Sequence, residues 1–434
     1  MATNPAPANT TVANLADLSK KTNTDVMVGI RRKTKEYGWF DDCPDEKITP
    51  SGNEMRLVLD IAYQTGGAMI PDGGYEDQAT TVVPQHGTFT FVQMNKRFSF
   101  TTLAKGFDAR GRAGFIQRQI QYQAIKAVEA IARKVGLQTY GFSTGTVAVV
   151  STSLTSYGSA AAQTDITLKN TFGTSLLPNS SAANSAYTSR LFRVGDPVCL
   201  VRGSSVQDFG VVIASPGASG TAGTIDITFN GAVTPAANDL IVNASAVTDT
   251  ALTGTDTNRW PVGLLDALTS ASVHGLATSA APEWAAGYAN TSGGRMSYQT
   301  QEAMANAIDN FSGTDMNRVM YSQGVRRDMI AGERAALRYD NSSQLDWNGE
   351  VGTKGVKYLT SQYVPYGMFI GWNNDALGKK VLSDKPDYEG GPDIFSLDKV
   401  QDKGAVAASF DFIYARIINS RRGMGYEANL TESP

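Results

Sequence analysis

The stretch ARGRAGFIQRQIQYQAIKAVEAIARKV, residues 109–135, decides the architecture. Ile116, Ile120, Ala124, Ala127, Val128, Ile131 and Val135 recur at three- and four-residue steps, the period of one helical face. Arg118, Lys126, Glu129 and Arg133 fall mainly elsewhere, with Glu129 four residues before Arg133 in the favourable order. Asp108 is placed to cap the start, and Gly136 to follow the end as a C′ residue. A helix of this length is ~35–40 Å long, well above the average. Its one-sided apolar stripe has to be covered by a sheet or another helix. Ile116, Ile120, Ile131 and Val135 are its expected core contacts.

Upstream, the period changes to two. Leu57, Leu59, Ile61 and Tyr63 share one face over residues 55–63, and Phe89, Phe91, Phe98 and Phe100 punctuate residues 88–102. Both are strand signals. Residues 64–87 between them carry Gly66, Gly67, Pro71, Gly73, Gly74, Tyr75, Pro84 and Gly87. Loops beyond about 15 residues are uncommon inside a compact domain. Two strands with such a tip predict a β-arm that projects from the body. Its exposed edges are costly unless something pairs with them, and an identical subunit is the simplest partner.

Residues 1–25 are polar and read as an arm. Residues 26–40 mix apolar anchors with Arg31, Arg32, Lys33 and Lys35. Six basic residues (with Lys20 and Lys21) against three acidic ones (Asp17, Asp25, Glu36) give residues 1–40 a charge of +3. This reads either as a solvated face or as an arm lying on a neighbouring acidic surface or on nucleic acid. Contacts with other subunits are expected from Arg31 and Arg32 of the arm and from Gly66, Gly67, Pro71 and Tyr75 of the tip. DDCPDE (41–46) lacks the oxygen-ligand spacing of a calcium loop and reads as a solvated loop.

Downstream, charge thins out. Residues 138–250 hold ten charged residues in 113, about half the chain average of 18%. Short β-runs at Pro197–Arg202, Gly210–Ala214, Thr224–Phe229 and Asp239–Asn243 predict a small barrel or sandwich. Its expected core is Val198, Leu200, Val211, Ile213, Ile225, Ile227, Phe229, Leu240 and Ile241. The Ser/Thr/Asn-rich residues 151–190 read as loop. Residues 260–434 look α+β. GLLDAL (263–268) and TQEAMANAIDNF (300–311) are helical, the latter with Ala303, Met304, Ala307, Ile308 and Phe311 on one face. RVMYSQ (318–323) is a buried strand and GVRRDMIAGERAAL (324–337) the helix after it. Residues 357–372 give two strands around Pro365, and 405–430 a long closing β-run.

The length of 434 residues suggests about three domains or subdomains. With 38 basic and 41 acidic residues there is no overall surplus of Lys and Arg for phosphate binding. Cys43 and Cys199 cannot build a disulfide framework and read as two reduced thiols. No apolar run approaches ~18 residues and no secretory signal opens the chain, so no membrane span is expected. His86, in PQHGT, reads as a turn residue, and His274, in SVHGL, as structural or surface; neither has a partner at ligand spacing. There is no G-x-x-x-x-G-K-S/T, G-x-S-x-G, H-E-x-x-H or C-x-x-C, and GASGTAG (217–223) reads as a hairpin loop. No catalytic, cofactor-binding or metal-binding residues are expected, and the protein is not expected to be an enzyme.

The order of these elements, with four local segments, resembles a tailed-bacteriophage major capsid protein of the Hong Kong 97 type. GLLDALTSASVHGLATSAAPEWAAGYAN (263–290) resembles a G-L … H-G-L … P-x-W segment of one branch of that family. VGDPVCLVRG, DFGVVIAS, GTIDITF and AANDLIV (194–242) resemble the inserted β-unit of the same members. RVMYSQGVRRDMI resembles the strand–helix of the axial domain, and DFIYARIINSRRGMGYEANL the closing strand of the peripheral domain.

The resemblance implies an α+β Hong Kong 97-type capsid fold with a small inserted β-barrel. Residues 1–50 would be the N-terminal arm and 51–106 the extended hairpin loop. Residues 107–189 and 395–434 would be the peripheral domain, with spine helix 109–135. Residues 190–250 would be the barrel and 260–394 the axial domain. It also implies hexamers and pentamers closing into an icosahedral head shell around double-stranded DNA, held without sequence-specific binding. Only about 25 residues precede the anchored stretch, so a separate scaffolding protein is expected. A portal at one vertex and a decoration or cement protein complete the implied partners. Assembly would take place in the host bacterial cytoplasm, and the product would be the virion head. The alternative is another virion structural protein, a tail-tube or baseplate subunit.

Overall fold

The computed structural model describes residues 42–46, 54–59, 85–101, 129–131, 133–151, 162–169, 171–173, 182–217, 220–246, 260–279, 281–336, 356–381, 398–399 and 405–432. β1 (Glu54–Leu59) pairs antiparallel with β2 (Gln85–Thr90), from Glu54 opposite Thr90 to Leu59 opposite Gln85. His86 therefore sits in a strand and not in a turn. β3 (Val92–Thr101) follows after Phe91 and pairs along its whole length with β18 (Ala405–Ile418). β16 (Leu377–Val381) and β17 (Asp398–Lys399) pair with the other side of β18.

Residues 129–131 and 133–140 are helical, which reaches four residues past the expected C′ position; the rest of the helix expected over 109–135 lies outside the described residues. Gly136 is buried within 133–140, and Leu137 and Tyr140 enter the main core. Tertiary burial outweighs the weak helix preference of one glycine.

A closed barrel follows. It contains β4 (Thr146–Val150), β5 (Ala162–Lys169), β6 (Pro197–Arg202), β7 (Ser205–Ala214), β8 (Thr224–Phe229) and β9 (Leu240–Asn243), in the order β4-β5-β8-β7-β6-β9. Two of its strands and the helix Ala182–Ser189 come from before residue 190, which corrects the reading of 151–190 as loop. The polar AQTDITLK hid β5, whose pairing with β8 shifts register between Gln163 and Ile166. Ile166, Leu168, Val198, Leu200, Val212, Ile225, Ile227, Phe229 and Ile241 belong to the main core. Val212 is fully buried while Ile213 is 45% exposed, so the inward face of β7 is the opposite of the expected one, and Val211 and Leu240 are only half-buried. The alternate residues Cys199, Val201 and Val242 are also buried, under Phe209 and Trp260. Strands covered on both faces have little room for charge, which accounts for the thin charge of this region.

The last sheet has the order β12-β19-β15-β13-β14, from β12 (Tyr288–Asn290), β19 (Met424–Glu427), β15 (Phe369–Trp372), β13 (Arg318–Tyr321) and β14 (Lys357–Thr360). Val319, Tyr321 and Phe369 pack with Met304 and Ile308 of the helix Tyr298–Ser312 and with Val325 and Met329 of the helix Gln323–Ala336. Met320, Ile370, Trp372 and Met424 join the main core, which the barrel and the helix Leu264–Thr269 share. The buried face of Tyr298–Ser312 is Gln301, Met304 and Ile308. Ala303 and Phe311, expected inside, are exposed: Ala303 lies about 100° around the helix from Met304, and Phe311 stands in the last turn, next to the Gly313 cap. The closing β-run is two strands in two sheets, β18 and β19, broken at residues 419–423.

Candidate functional site

Residues 263–290 form the hub at which the hairpin, the helix ending at Tyr140, the barrel and the terminal strands meet. Gly263 lies so close to Gly141 that an added Cβ would stand 1.5 Å from the Gly141 carbonyl oxygen. His274 and Gly275 are both left-handed, at φ 54° and 80°. They turn the tight hairpin of β10 (Ser272–Val273) and β11 (Leu276–Ala277), as a two-residue mirror-image turn requires. Trp284 is buried and donates its indole N–H to the Val273 carbonyl at 3.3 Å. Gly263, His274, Gly275 and Trp284 of the G-L … H-G-L … P-x-W pattern thus have packing or turn roles.

The root of the β1–β2 hairpin rests on this hub. Thr88 donates its backbone N–H to the His274 carbonyl at 3.1 Å. The rings of Phe89 and His274 lie 4.1 Å apart. Phe89 is fully buried, in a cluster with Phe91, Ala415 and Ile417. The His274 residue as a whole is half-buried, but its Nε2 is enclosed with no hydrogen-bond partner among the described residues. Burial, reinforced by Arg416 and Arg421, pushes its imidazole down to about 3, so it stays neutral.

Two buried arginines tie the terminal strands to helix ends. Arg416 of β18 donates to the carbonyls of Thr139 at 2.8 Å and Gln138 at 2.6 Å, in the last turn of the helix ending at Tyr140. Arg421 donates to the carbonyls of Trp284 and Ser270, each at 2.8 Å, and to that of Ala267. Both satisfy carbonyls that a helix end leaves open and place positive charge at the negative end of a helix dipole. Burial draws both guanidinium groups down to about 10, which leaves them charged at neutral pH. Asp266 is buried nearby and accepts from Ser270 Oγ at 2.8 Å and from the Ser143 backbone N–H. Burial raises its carboxyl above the ordinary range. The sequence reading passed over both arginines. A signal was present in YARIINSRR, where a charge interrupts an apolar strand and needs an internal partner.

DDCPDE is an anchor and not a solvated loop. Asp42 pairs with both Arg318 and Lys357, which face each other across β13 and β14. Burial alone would raise Asp42, but the hydrogen bonds from Lys357 and Arg318 outweigh it and hold the carboxyl below its usual range. Cys43 is buried, and burial pushes its thiol up to about 12. Glu46 N–H donates to the Lys379 carbonyl at 2.9 Å, and Lys379 N–H to the Pro44 carbonyl at 3.0 Å. Asn419 donates to Glu46 Oε1 at 2.7 Å. Residues 42–46 therefore fasten the chain to both terminal sheets.

Arg31, Arg32, Gly66, Gly67, Pro71, Tyr75, Ile116 and Ile120 lie outside the described residues. Ile131 and Val135 are described and are 3% and 0% exposed. Among the described residues no group of three or more His, Cys, Asp or Glu side chains is placed to hold a metal ion.

No family model and no curated protein sequence matches the chain. Solved structures do. A chain of the cyanophage A-1(L) capsid asymmetric unit superposes with a TM-score of 0.51 at 9% identity, covering 96% of this chain and 99% of that one. A chain of the capsid of a native GTA particle gives 0.44 at 9% identity over 94% and 95%, and a chain of Mycobacterium phage Bobi 0.41 at 10% over 97% and 98%. The last two scores are too low to carry weight. The cyanophage likeness shows a shared fold across nearly the whole of both chains.

Proposed function

We propose that this chain is a major capsid protein of the Hong Kong 97 type, whose copies join as hexamers and pentamers into an icosahedral phage head around double-stranded DNA. The fold shared with the cyanophage capsid chain over 96% of this chain is the observation that carries the proposal. The fastening of projecting segments at their roots supports it. A shell subunit has to hold an arm and a hairpin rigidly at the base while their far ends reach neighbours, and large self-complementary surfaces take the place of a catalytic pocket. Residues 42–46 and the Thr88–Phe89 root are two such fastenings.

In this assignment residues 1–50 are the arm and the β1–β2 unit is the extended hairpin, while β3, read from sequence as part of a hairpin over 51–106, lies against β18. The helix ending at Tyr140 and β18, with β16 paired to it, belong to the peripheral domain, and the sheet β12-β19-β15-β13-β14 with its two helices belongs to the axial domain. The inserted barrel spans 146–243, wider than the 190–250 read from sequence. A scaffolding protein, a portal and a decoration protein are the proposed partners, and assembly takes place in the host cytoplasm. The role is structural and not enzymatic.

Deletion of residues 66–86 tests the proposal. It should leave subunits with wild-type circular dichroism that no longer sediment as closed particles, since weak contacts multiply around a lattice. Complete particles from the deletion would remove the hairpin from the assembly mechanism.

A further inference from the structure

We infer that His274 is a positioning residue for the β1–β2 hairpin: its ring, wedged against Phe89, sets the direction in which the hairpin leaves the body. A mirror-image two-residue turn needs left-handed backbone at both positions, and Asn-Gly or Gly-Gly meets that need more cheaply than His-Gly. At φ 54° His274 carries an imidazole that the turn does not use. That imidazole also buries Nε2 without a partner among the described residues, which is a cost that calls for a reason. The ring contact with Phe89 at 4.1 Å supplies one, beside the hydrogen bond between the imidazole and the Thr88 backbone.

The placement makes the contact directional. Thr88 and Phe89 are consecutive residues of β2. Thr88 is fixed by its backbone bond to the His274 carbonyl, and Phe89 is shared between the His274 ring and the cluster with Ala415 and Ile417 of β18. A hydrogen bond alone is a hinge that permits swinging. The same bond beside a trapped ring leaves one orientation, because packed cores hold discrete arrangements and do not deform continuously. His274 thereby links the hub of residues 263–290 to the angle of the hairpin.

The test uses the full chain as isolated subunits. Nitroxide labels are placed at His86→Cys on β2 and Asp309→Cys on the helix Tyr298–Ser312, both exposed, while the native thiols Cys43 and Cys199 are buried. Pulsed electron paramagnetic resonance reads the distance between them. The background protein should give one narrow distribution. His274→Asn keeps a left-handed turn and the carbonyl acceptor but removes the ring, and should broaden the distribution about twofold or more while melting cooperatively. His274→Phe, which restores a ring, should narrow it again. Phe89→Leu keeps an apolar side chain and should broaden it as His274→Asn does.

An unbroadened Phe89→Leu protein overturns the inference, whatever happens at residue 274. So does a His274→Phe protein as broad as His274→Asn. These distances do not depend on the shell assignment. One consequence does rest on it: with scaffold present, His274→Asn should give shells of mixed diameter. Absence of shells from the unsubstituted chain would count against the shell assignment and leave the distance result standing.

Discussion

Arg133 and Asp196 form a two-pronged ion pair, with Nη1 2.6 Å from Oδ1 and Nη2 2.7 Å from Oδ2, that joins the helix ending at Tyr140 to the start of β6. Arg133 also donates to the Leu191 carbonyl, and Asp196 accepts the Arg193 backbone N–H at 2.8 Å. Both side chains are mostly buried, at 14% and 26% exposure, so solvent screens the pair only in part. Asp196→Asn keeps the shape and removes the charge. It should cost about 1–3 kcal/mol, as loss of a charged hydrogen-bonding partner does, and lower the melting temperature without changing the circular dichroism spectrum.

Arg416→Met should cost more. The substitution is close in volume but opens the carbonyls of Gln138 and Thr139 inside the core. Losing a buried charged donor to two carbonyls predicts about 3–5 kcal/mol in urea unfolding. A cost below about 1 kcal/mol would mean that the helix end does not rely on this cap.

Acid should weaken the fold in a definite window. The His274 imidazole in the folded chain titrates at about 3, against 6.5 ordinarily. Between those values the unfolded chain binds the extra proton, so stability falls as pH falls from 6.5 toward 3. Asp42 adds to this at lower pH: its carboxyl is held below 3.8, and its contribution is lost as pH falls through that lowered value. Asp266 and Glu432, raised by burial, act in the opposite sense and gain stability on protonation. The stability difference between His274→Asn and wild type should therefore shrink from pH 7 to pH 4.5 in urea titrations. A constant difference would mean that His274 does not titrate with folding.

Gly263→Ala should be among the most damaging small substitutions. The added Cβ would meet the Gly141 oxygen at 1.5 Å, a backbone atom that cannot swing aside. Separating the helix end at Tyr140–Gly141 from Leu264–Thr269 should cost about 3 kcal/mol or more. Loss of soluble yield, or a depressed urea midpoint, is the expected result.

Period and turn chemistry made much of this architecture readable. Ile225 and Ile227, and Val319 and Met320, sit in elements whose local pattern matches their tertiary role. What stayed hidden has common physical causes. β5 is a polar strand with an irregular register, and Asp165 within it adopts φ 54°, so no alternation marks it. Val212 and Ile213 are equally apolar, and only barrel closure decides which one points in. Phe311 stands in the last turn of its helix, next to the Gly313 cap, and is exposed. Arg416, Arg421 and Asp42 act through partners more than 100 residues away, which no local window can supply.

Electron microscopy of the full chain co-expressed with its candidate scaffolding protein tests shell formation most directly. Closed icosahedral particles of uniform diameter, built from hexamers and pentamers of this chain, are the expected result. Tubes with helical symmetry, or monomers that stay monomeric with every candidate scaffold, would contradict it.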